Sequence, residues 1–284
     1  MIPLKDNIPT ERFPLVTVIL IALNVAVFIW QITLPDDRAS SPELRQLGVN
    51  ERDEATIELG AIPERITDPD AECAIGVVAG RERPRTQVVC DGTADYREAE
   101  SFQQQGAPLV PIDKVPWWIT VITSMFLHGG LLHIAGNMLF LWVFGNNVED
   151  SMGRLRFILF YLLAGTVAVY AQSLLDTAST VPTIGASGAV AGVLGAYILL
   201  HPKARVVSIV IIIFFITFIE IPALVLLAVW FALQFLPAVG QVASSDLGGE
   251  SIAYLAHVGG FLFGLAAIKL FTLGRRSDPE PRFG

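Results

Sequence analysis

Long apolar runs alternate with short polar turns along most of this chain, and one extended polar stretch interrupts them. The first run, Leu15 to Leu34, holds no charged residue. Its length matches the roughly 20 helical residues that cross a bilayer, which predicts a first transmembrane helix at 15–34. The run exceeds the apolar core of a cleavable signal and no small-x-small site follows it, so the helix is expected to be retained. Residues 35–115 change character: Pro, Asp, Glu, Arg and Gln dominate, with short apolar pieces such as Ala74 to Val78. They predict an extramembrane insert, only partly ordered. Apolar character returns at Pro116, where Trp117 and Trp118 suit a membrane interface. The piece 116–130 is too short to span and breaks at Gly129-Gly130, so it is expected to lie at, or dip into, the outer leaflet. Spans follow at 131–148, 157–175 and 187–200, with Glu149, Asp150, Arg154 and Arg156 as a polar turn between the first two. Glu220 and Pro222 break the run Val206 to Val239. Its first part, 206–219, reads as an apolar piece lodged near one face, and 221–239 as the fifth span. A sixth is predicted at 253–273. The pattern gives an all-α polytopic membrane protein, a six-transmembrane-helix bundle with its membrane core at 116–273. The long insert sits between helices 1 and 2, and short segments at 1–14 and 274–284 flank the whole.

Composition agrees with the pattern and charge orients it. The chain is 53% hydrophobic and 16% charged, with a mean hydropathy of +0.57, too apolar for a soluble domain of this length. The net charge of -8 belongs to the insert, whose residues 35–114 hold 17 acidic and 9 basic side chains. Six crossings place both termini and the turns at 149–156 and 201–205 on one side, with every basic residue outside the insert, from Lys5 to Arg282. By the positive-inside rule that side is the cytoplasm and the insert is extracytoplasmic. The expected setting is a bacterial plasma membrane. Cys73 and Cys90, the only cysteines, lie in the insert with 16 residues between them. In an oxidising compartment a disulfide between them would stabilise the insert by about 3 kcal/mol in the chain-entropy view. No histidine accompanies them, so a metal site is not expected. No basic patch combines with exposed aromatics, which argues against a nucleic-acid partner.

The candidate chemistry begins at Gly185-Ala186-Ser187-Gly188. A serine flanked by glycines at the entry to an apolar helix occupies a tight turn with helix-end N–H groups beside its hydroxyl, a setting for a nucleophile with an adjacent anion site. Small residues at such spacing also serve close helix packing, so the serine alone decides nothing. Asn24 in the first span reads as a bond between helices. His133 and Asn137, four residues apart, fall about 40° apart on one helix face. His257 lies near the outer end of the sixth span and Ser187 near the outer end of the fourth, so four polar groups share the outer half of the bilayer. His128 is assigned to the interfacial piece and His201 to a solvated turn. A His-Glu-x-x-His zinc motif is missing, as are paired intramembrane carboxylates and the internal repeats of a transporter. Nucleophilic catalysis by serine with histidine as base remains.

His128-Gly-Gly-Leu-Leu-His133-Ile-Ala-Gly-Asn137, then Gly185-Ala-Ser187-Gly188, then Ala256-His257-Val-Gly-Gly260-Phe-Leu-Phe-Gly264 together resemble the rhomboid family of intramembrane serine proteases. The likeness covers about 117–272 and, more weakly, the first span, but not the insert. It implies Ser187 as nucleophile and His257 as base, a dyad without a carboxylate. His133, Asn137 and the Ser187 backbone N–H would form an oxyanion hole, and Gly260 and Gly264 would seat the sixth helix against the fourth. No cofactor is implied. The implied partner is a transmembrane protein substrate entering from the lipid bilayer past the fifth helix, with Trp230, Phe231 and Phe235 as candidate gate residues and a loop at 240–252 as cap. Two positions depart from well-known bacterial members: Ala191 stands where an aromatic stacks on the base, and Ile119-Thr120 where a Trp-Arg pair stands. The first departure requires another residue to orient His257. The alternative is a catalytically inactive rhomboid-like protein that binds membrane clients; such relatives usually lack the serine or the histidine, and this chain has both.

Overall fold

A computed structural model describes residues 2–80, 83–212, 215–244 and 253–274; most of the expected cap at 240–252 and of the tail at 274–284 lies outside the described residues. The chain runs β1 (Ile2–Asp6), α1 (Leu15–Thr33), α2 (Pro42–Leu47), α3 (Glu51–Leu59), α4 (Pro63–Thr67), β2 (Cys73–Val78), β3 (Arg85–Cys90), α5 (Ala94–Gln104) and β4 (Val110–Pro111). It continues through α6 (Trp117–Thr123), a 3₁₀ turn at Ser124–Phe126, α7 (Leu131–Met152), α8 (Arg154–Leu175), α9 (Ser187–Leu200), β5 (Arg205–Ile212), β6 (Phe215–Pro222), α10 (Ala223–Ser244) and α11 (Tyr254–Phe271). Among the described residues, α1, α7, α8 and α11 are long and apolar enough to cross a membrane; α9 and the apolar part of α10 are shorter.

The helices pack around α9, whose face is almost free of large side chains. Gly188, Ala191, Gly192, Gly195 and Ala196 are buried against α8 and α11. A Cβ on Gly260 would fall on the Gly188 carbonyl oxygen, so the backbones touch here. Such close approach lets dispersion replace the hydrophobic force that lipid does not supply. At one end of the bundle the core is aromatic, with Phe144 set edge-on to Tyr197 at 4.8 Å and Phe157, Phe160 and Tyr161 fully buried.

The predicted polar turn at 149–156 is tighter than expected. Glu149 and Asp150 lie within α7, which runs on to Met152, and the break is Gly153 alone, at φ 78. Glu149 is buried because it accepts hydrogen bonds from the backbone N–H groups of Val16 and Thr17 and from the Thr17 hydroxyl, capping the first turn of α1. His201 is likewise buried rather than solvated, packed 5.0 Å from the Tyr197 ring.

The fold is mostly helical, and the all-α expectation is corrected by two three-stranded sheets. The apolar piece at 206–219 belongs to an antiparallel hairpin, β5 with β6, in register from Arg205 opposite Pro222 to Ile212 opposite Phe215. Val, Ile and Phe dominate it, residues that fit a pleated surface better than a helix. β1 pairs with the outer edge of β5, Ile2 opposite Ile209, and so fixes the start of the chain to the bundle. Ile221 and Pro222, placed in the fifth span by the pattern, close the hairpin instead.

The described residues of the insert fold into helices and a sheet rather than remaining largely irregular. β3-β2-β4 form its sheet, and Leu44, Leu47, Ile62, Ile75 and Val88 make a core of their own beside the Cys73–Cys90 disulfide. Hydrogen bonds at several of its residues tie it to the helices and their loops. The Arg52 guanidinium donates to the carbonyls of Gln31, Ile32 and Leu34 at 3.2–3.3 Å, where the C-terminal end of α1 favours a cation. Ala61 and Thr183 exchange backbone hydrogen bonds in an antiparallel bridge, 3.1 and 2.8 Å, and the Glu64 N–H donates to the Ser179 carbonyl. The insert therefore grips the loop that leads into α9.

Candidate active site

Ser187 is the first residue of α9, so its N–H is among the helix-start donors without an intrahelical acceptor. The turn before it depends on Gly185, whose φ of 120 is strained for any residue with a side chain and whose missing Cβ leaves room for the His133 ring. A Cβ there would sit 2.8 Å from His133 Nε2. The Gly185 N–H is held by the Ser124 carbonyl at 2.8 Å.

His257, on the first turn of α11, reaches Ser187: Nε2 to Oγ is 2.8 Å. On its other side Nδ1 lies 2.7 Å from the Gln234 Oε1 of α10. If Nδ1 carries the proton and donates it to that carbonyl oxygen, Nε2 presents a lone pair to the serine hydroxyl. Ala191 is fully buried in the helix packing, and the aromatic rings near the imidazole come from Trp230 at 6.1 Å and, edge-on, Tyr254 at 6.5 Å.

His133 and Asn137 stand on the same face of α7, as their spacing predicts, and both line the cavity into which Ser187 and His257 open. The Gly129 N–H donates to His133 Nδ1 at 3.4 Å, which leaves Nε2, beside Gly185, as the proton-bearing nitrogen. Asn137 Nδ2 is buried and has no hydrogen-bond partner among the described residues. A buried donor left unmade costs about 1–3 kcal/mol, so a group ready to accept from it would be favoured. The cavity holds about 790 Å³ and is walled by Leu132, Phe140, Val190, Leu194 and Trp230. Asp176 also lines it, its carboxyl raised above the ordinary range by burial, with an opposing hydrogen bond from Ser179.

Of the residues singled out in the sequence, Ser187, His257, His133 and Asn137 line one cavity, and Gly185 lies against the His133 ring. Gly188, Gly260 and Gly264 stand behind it in the helix packing. Cys73 and Cys90 lie in the insert core. His128 touches the site indirectly, edge-on to His133 at 5.1 Å. Trp230 faces the cavity, whereas Phe231 stacks on Phe261 at 4.5 Å and Phe235 stacks on Phe231. Gln234 was not anticipated; its signal was a lone amide in the otherwise apolar stretch from Ala223 to Val239. Among the described residues no three His, Cys, Asp or Glu side chains converge to hold a metal ion.

Four helices long and apolar enough to cross a membrane define an integral membrane protein, and Ser187 on the shorter α9 contacts the His257 imidazole on α11. The Rhomboid domain matches residues 116–273, more than half of the sequence. The chain belongs to the rhomboid family. It is similar to "Rhomboid protein 1, mitochondrial" of Saccharomyces cerevisiae, 32% identical over 162 residues, which cover 55% of this chain and 43% of that one. "Presenilin-associated rhomboid-like protein, mitochondrial" of Mus musculus is 31% identical over 147 residues, 51% of this chain and 36% of the relative. "Rhomboid protease GluP" of Bacillus subtilis is 44% identical over 80 residues, 28% and 15% of the two chains. The chain thus spans less than half the length of these curated relatives. Mitochondrial proteins stand among them, so the likeness does not tie the chain to a bacterial plasma membrane.

Proposed function

We propose that the protein is an intramembrane serine endopeptidase that cuts transmembrane segments of other membrane proteins. The observation that carries this reading is the 2.8 Å contact between Ser187 Oγ and His257 Nε2 at the wall of an apolar cavity. In the proposed reaction Oγ attacks the scissile carbonyl carbon while Nε2 takes the hydroxyl proton. The carbonyl oxygen becomes an oxyanion that accepts from the Ser187 backbone N–H, Asn137 Nδ2 and His133 Nε2. The imidazolium returns its proton to the leaving amine, and an acyl ester remains on Ser187. Water then repeats the sequence: His257 takes its proton, the hydroxide adds to the ester carbon, and the serine leaves reprotonated.

The apolar walls suit a substrate arriving from lipid, and a cut needs an extended backbone because an intact helix keeps its carbonyls engaged. The proposed topology has six crossings, formed by α1, α7, α8, α9, α10 and α11, with both termini cytoplasmic and the insert at 35–115 outside. Support comes from the side-by-side placement of β1, the C-terminal turns of α7 and the start of β5, joined by Asp6 with Asn147 and by Asn7 with Arg205. The test is fluorophosphonate labelling of purified protein, with Ser187→Ala and His257→Ala as comparisons. Labelling lost in both variants supports an activated serine. Folded wild type that neither labels nor cuts a transmembrane substrate would return the chain to the client-binding class.

A further inference from the structure

We infer that Gln234 is the positioning residue of the catalytic base, a neutral third member of the Ser187–His257 pair supplied by α10; the inference rests on the protease reading above. The sequence poses the problem that this residue solves. Ala191 offers no ring to hold the imidazole, and among the described residues no carboxylate reaches His257. The imidazole has two nitrogens and the reaction needs a particular one free. Nε2 must arrive without a proton, because it is 2.8 Å from the hydroxyl it has to deprotonate. The proton must therefore sit on Nδ1, which needs an acceptor in an apolar surrounding where water is scarce. Gln234 Oε1 is that acceptor, at 2.7 Å. Its amide carbonyl selects the productive tautomer and fixes the ring plane, while the uncharged group avoids the cost of burying a carboxylate among lipid-facing helices.

The placement of Gln234 adds a second consequence. Ser187 and His257 sit on α9 and α11, whose backbones meet through glycines. Gln234 comes from a third helix, together with Trp230 one turn earlier on the same face, and both line the cavity. Base orientation therefore depends on α10 being seated against α11, on the wall past which a lateral substrate would enter.

The experiment compares wild type with Gln234→Met and Gln234→Glu in three readouts: the fluorophosphonate labelling rate, kcat and KM on a transmembrane substrate, and thermal unfolding in detergent. Methionine keeps length and volume but removes the acceptor; glutamate keeps an acceptor oxygen in either protonation state. The expected result is a labelling rate and kcat about tenfold lower in Gln234→Met with KM and unfolding temperature little changed, the size of one lost hydrogen bond. Gln234→Glu should stay within roughly threefold of wild type. Gln234→Met labelling at the wild-type rate would overturn the inference while leaving the protease reading intact. Equal loss in both variants with a lowered unfolding temperature would reduce Gln234 to packing and overturn it as well. Absence of labelling in wild type would remove the protease reading and this inference together.

Discussion

Gly264 and Gly192 meet backbone to backbone: a Cβ on Gly264 would fall on the Gly192 carbonyl oxygen. This contact, one turn beyond that of Gly260 with Gly188, sets the distance between α11 and α9 and hence between His257 and Ser187. Gly264→Ala should force the helices apart and destabilise the bundle by about 1–3 kcal/mol, the usual range for overpacking. Thermal unfolding in detergent would show it, with labelling of Ser187 falling in the protein that remains folded. Gly136, with nothing within 4 Å of its Cβ position, provides the comparison: Gly136→Ala should leave unfolding unchanged or slightly raised.

Asn137 Nδ2 is buried without a partner among the described residues, and in the proposed reaction its partner is the oxyanion, so it should matter to the transition state and little to binding. Asn137→Ala is expected to lower kcat by roughly 100-fold or more with KM nearly constant, in line with the loss of one oxyanion donor. A rise in KM at unchanged kcat would instead make Asn137 a substrate-binding group.

Asp6 gives a pH dependence at the opposite end of the bundle. It is buried beside Tyr197 and Asn147, both of which donate to its Oδ2 at 2.6 Å. Burial raises its carboxyl to about 6 despite those bonds and the nearby Lys5 charge. A folded pKa above the unfolded one means that the folded state holds the proton more tightly. The associated stability is fully present below the ordinary carboxylate range and is lost as pH rises through about 6. The advantage of Asp6→Asn over wild type in unfolding free energy should therefore grow between about pH 4 and 6.5 and then level off, at no more than about 3 kcal/mol. A constant difference across that range would mean that the carboxyl titrates alike in the folded and unfolded chain.

The grip of the insert on the serine loop can be tested at one atom. Ala61→Pro removes the N–H that donates to the Thr183 carbonyl, at a fully buried position packed with Ile66, Val121 and Val169 between the insert and the helices. We expect Ser187 labelling of the folded protein to slow several-fold, on the order of one lost backbone bond, with the unfolding temperature lowered because the proline ring enters a packed site. Labelling at the wild-type rate would show that the loop before α9 holds its shape unaided.

Much of this was legible in the chain because lipid imposes a simple rule. Uncharged runs such as Leu15 to Leu34 become helices, and polar groups inside them, such as His133 and His257, stand out as expensive. The hairpin was not legible as such. Val206 to Ile219 is apolar on both faces, so periodicity distinguishes neither strand nor helix, and only its β-branched and aromatic richness pointed to the sheet. Order in the insert was hidden by its acidic composition, since its core draws single residues from several short elements. Gln234 carries little signal in the chain alone: one amide among aromatics has the same look as a helix-to-helix hydrogen bonder, and only its contact with His257 distinguishes it.

The pairing of β1 with β5 sets an order on biosynthesis. Ile2 and its neighbours leave the ribosome about 200 residues before Ile209, their partner. At typical elongation rates of about 5–20 residues per second, that strand waits roughly 10–40 s with its backbone groups unpaired. By then α1, α7, α8 and α9 have been made, so β1 is synthesised well before the strand it pairs with and finds its place late. A chaperone or a fused peptide that captured residues 2–6 during that interval would act on the assembly of the bundle from the end opposite to its chemistry.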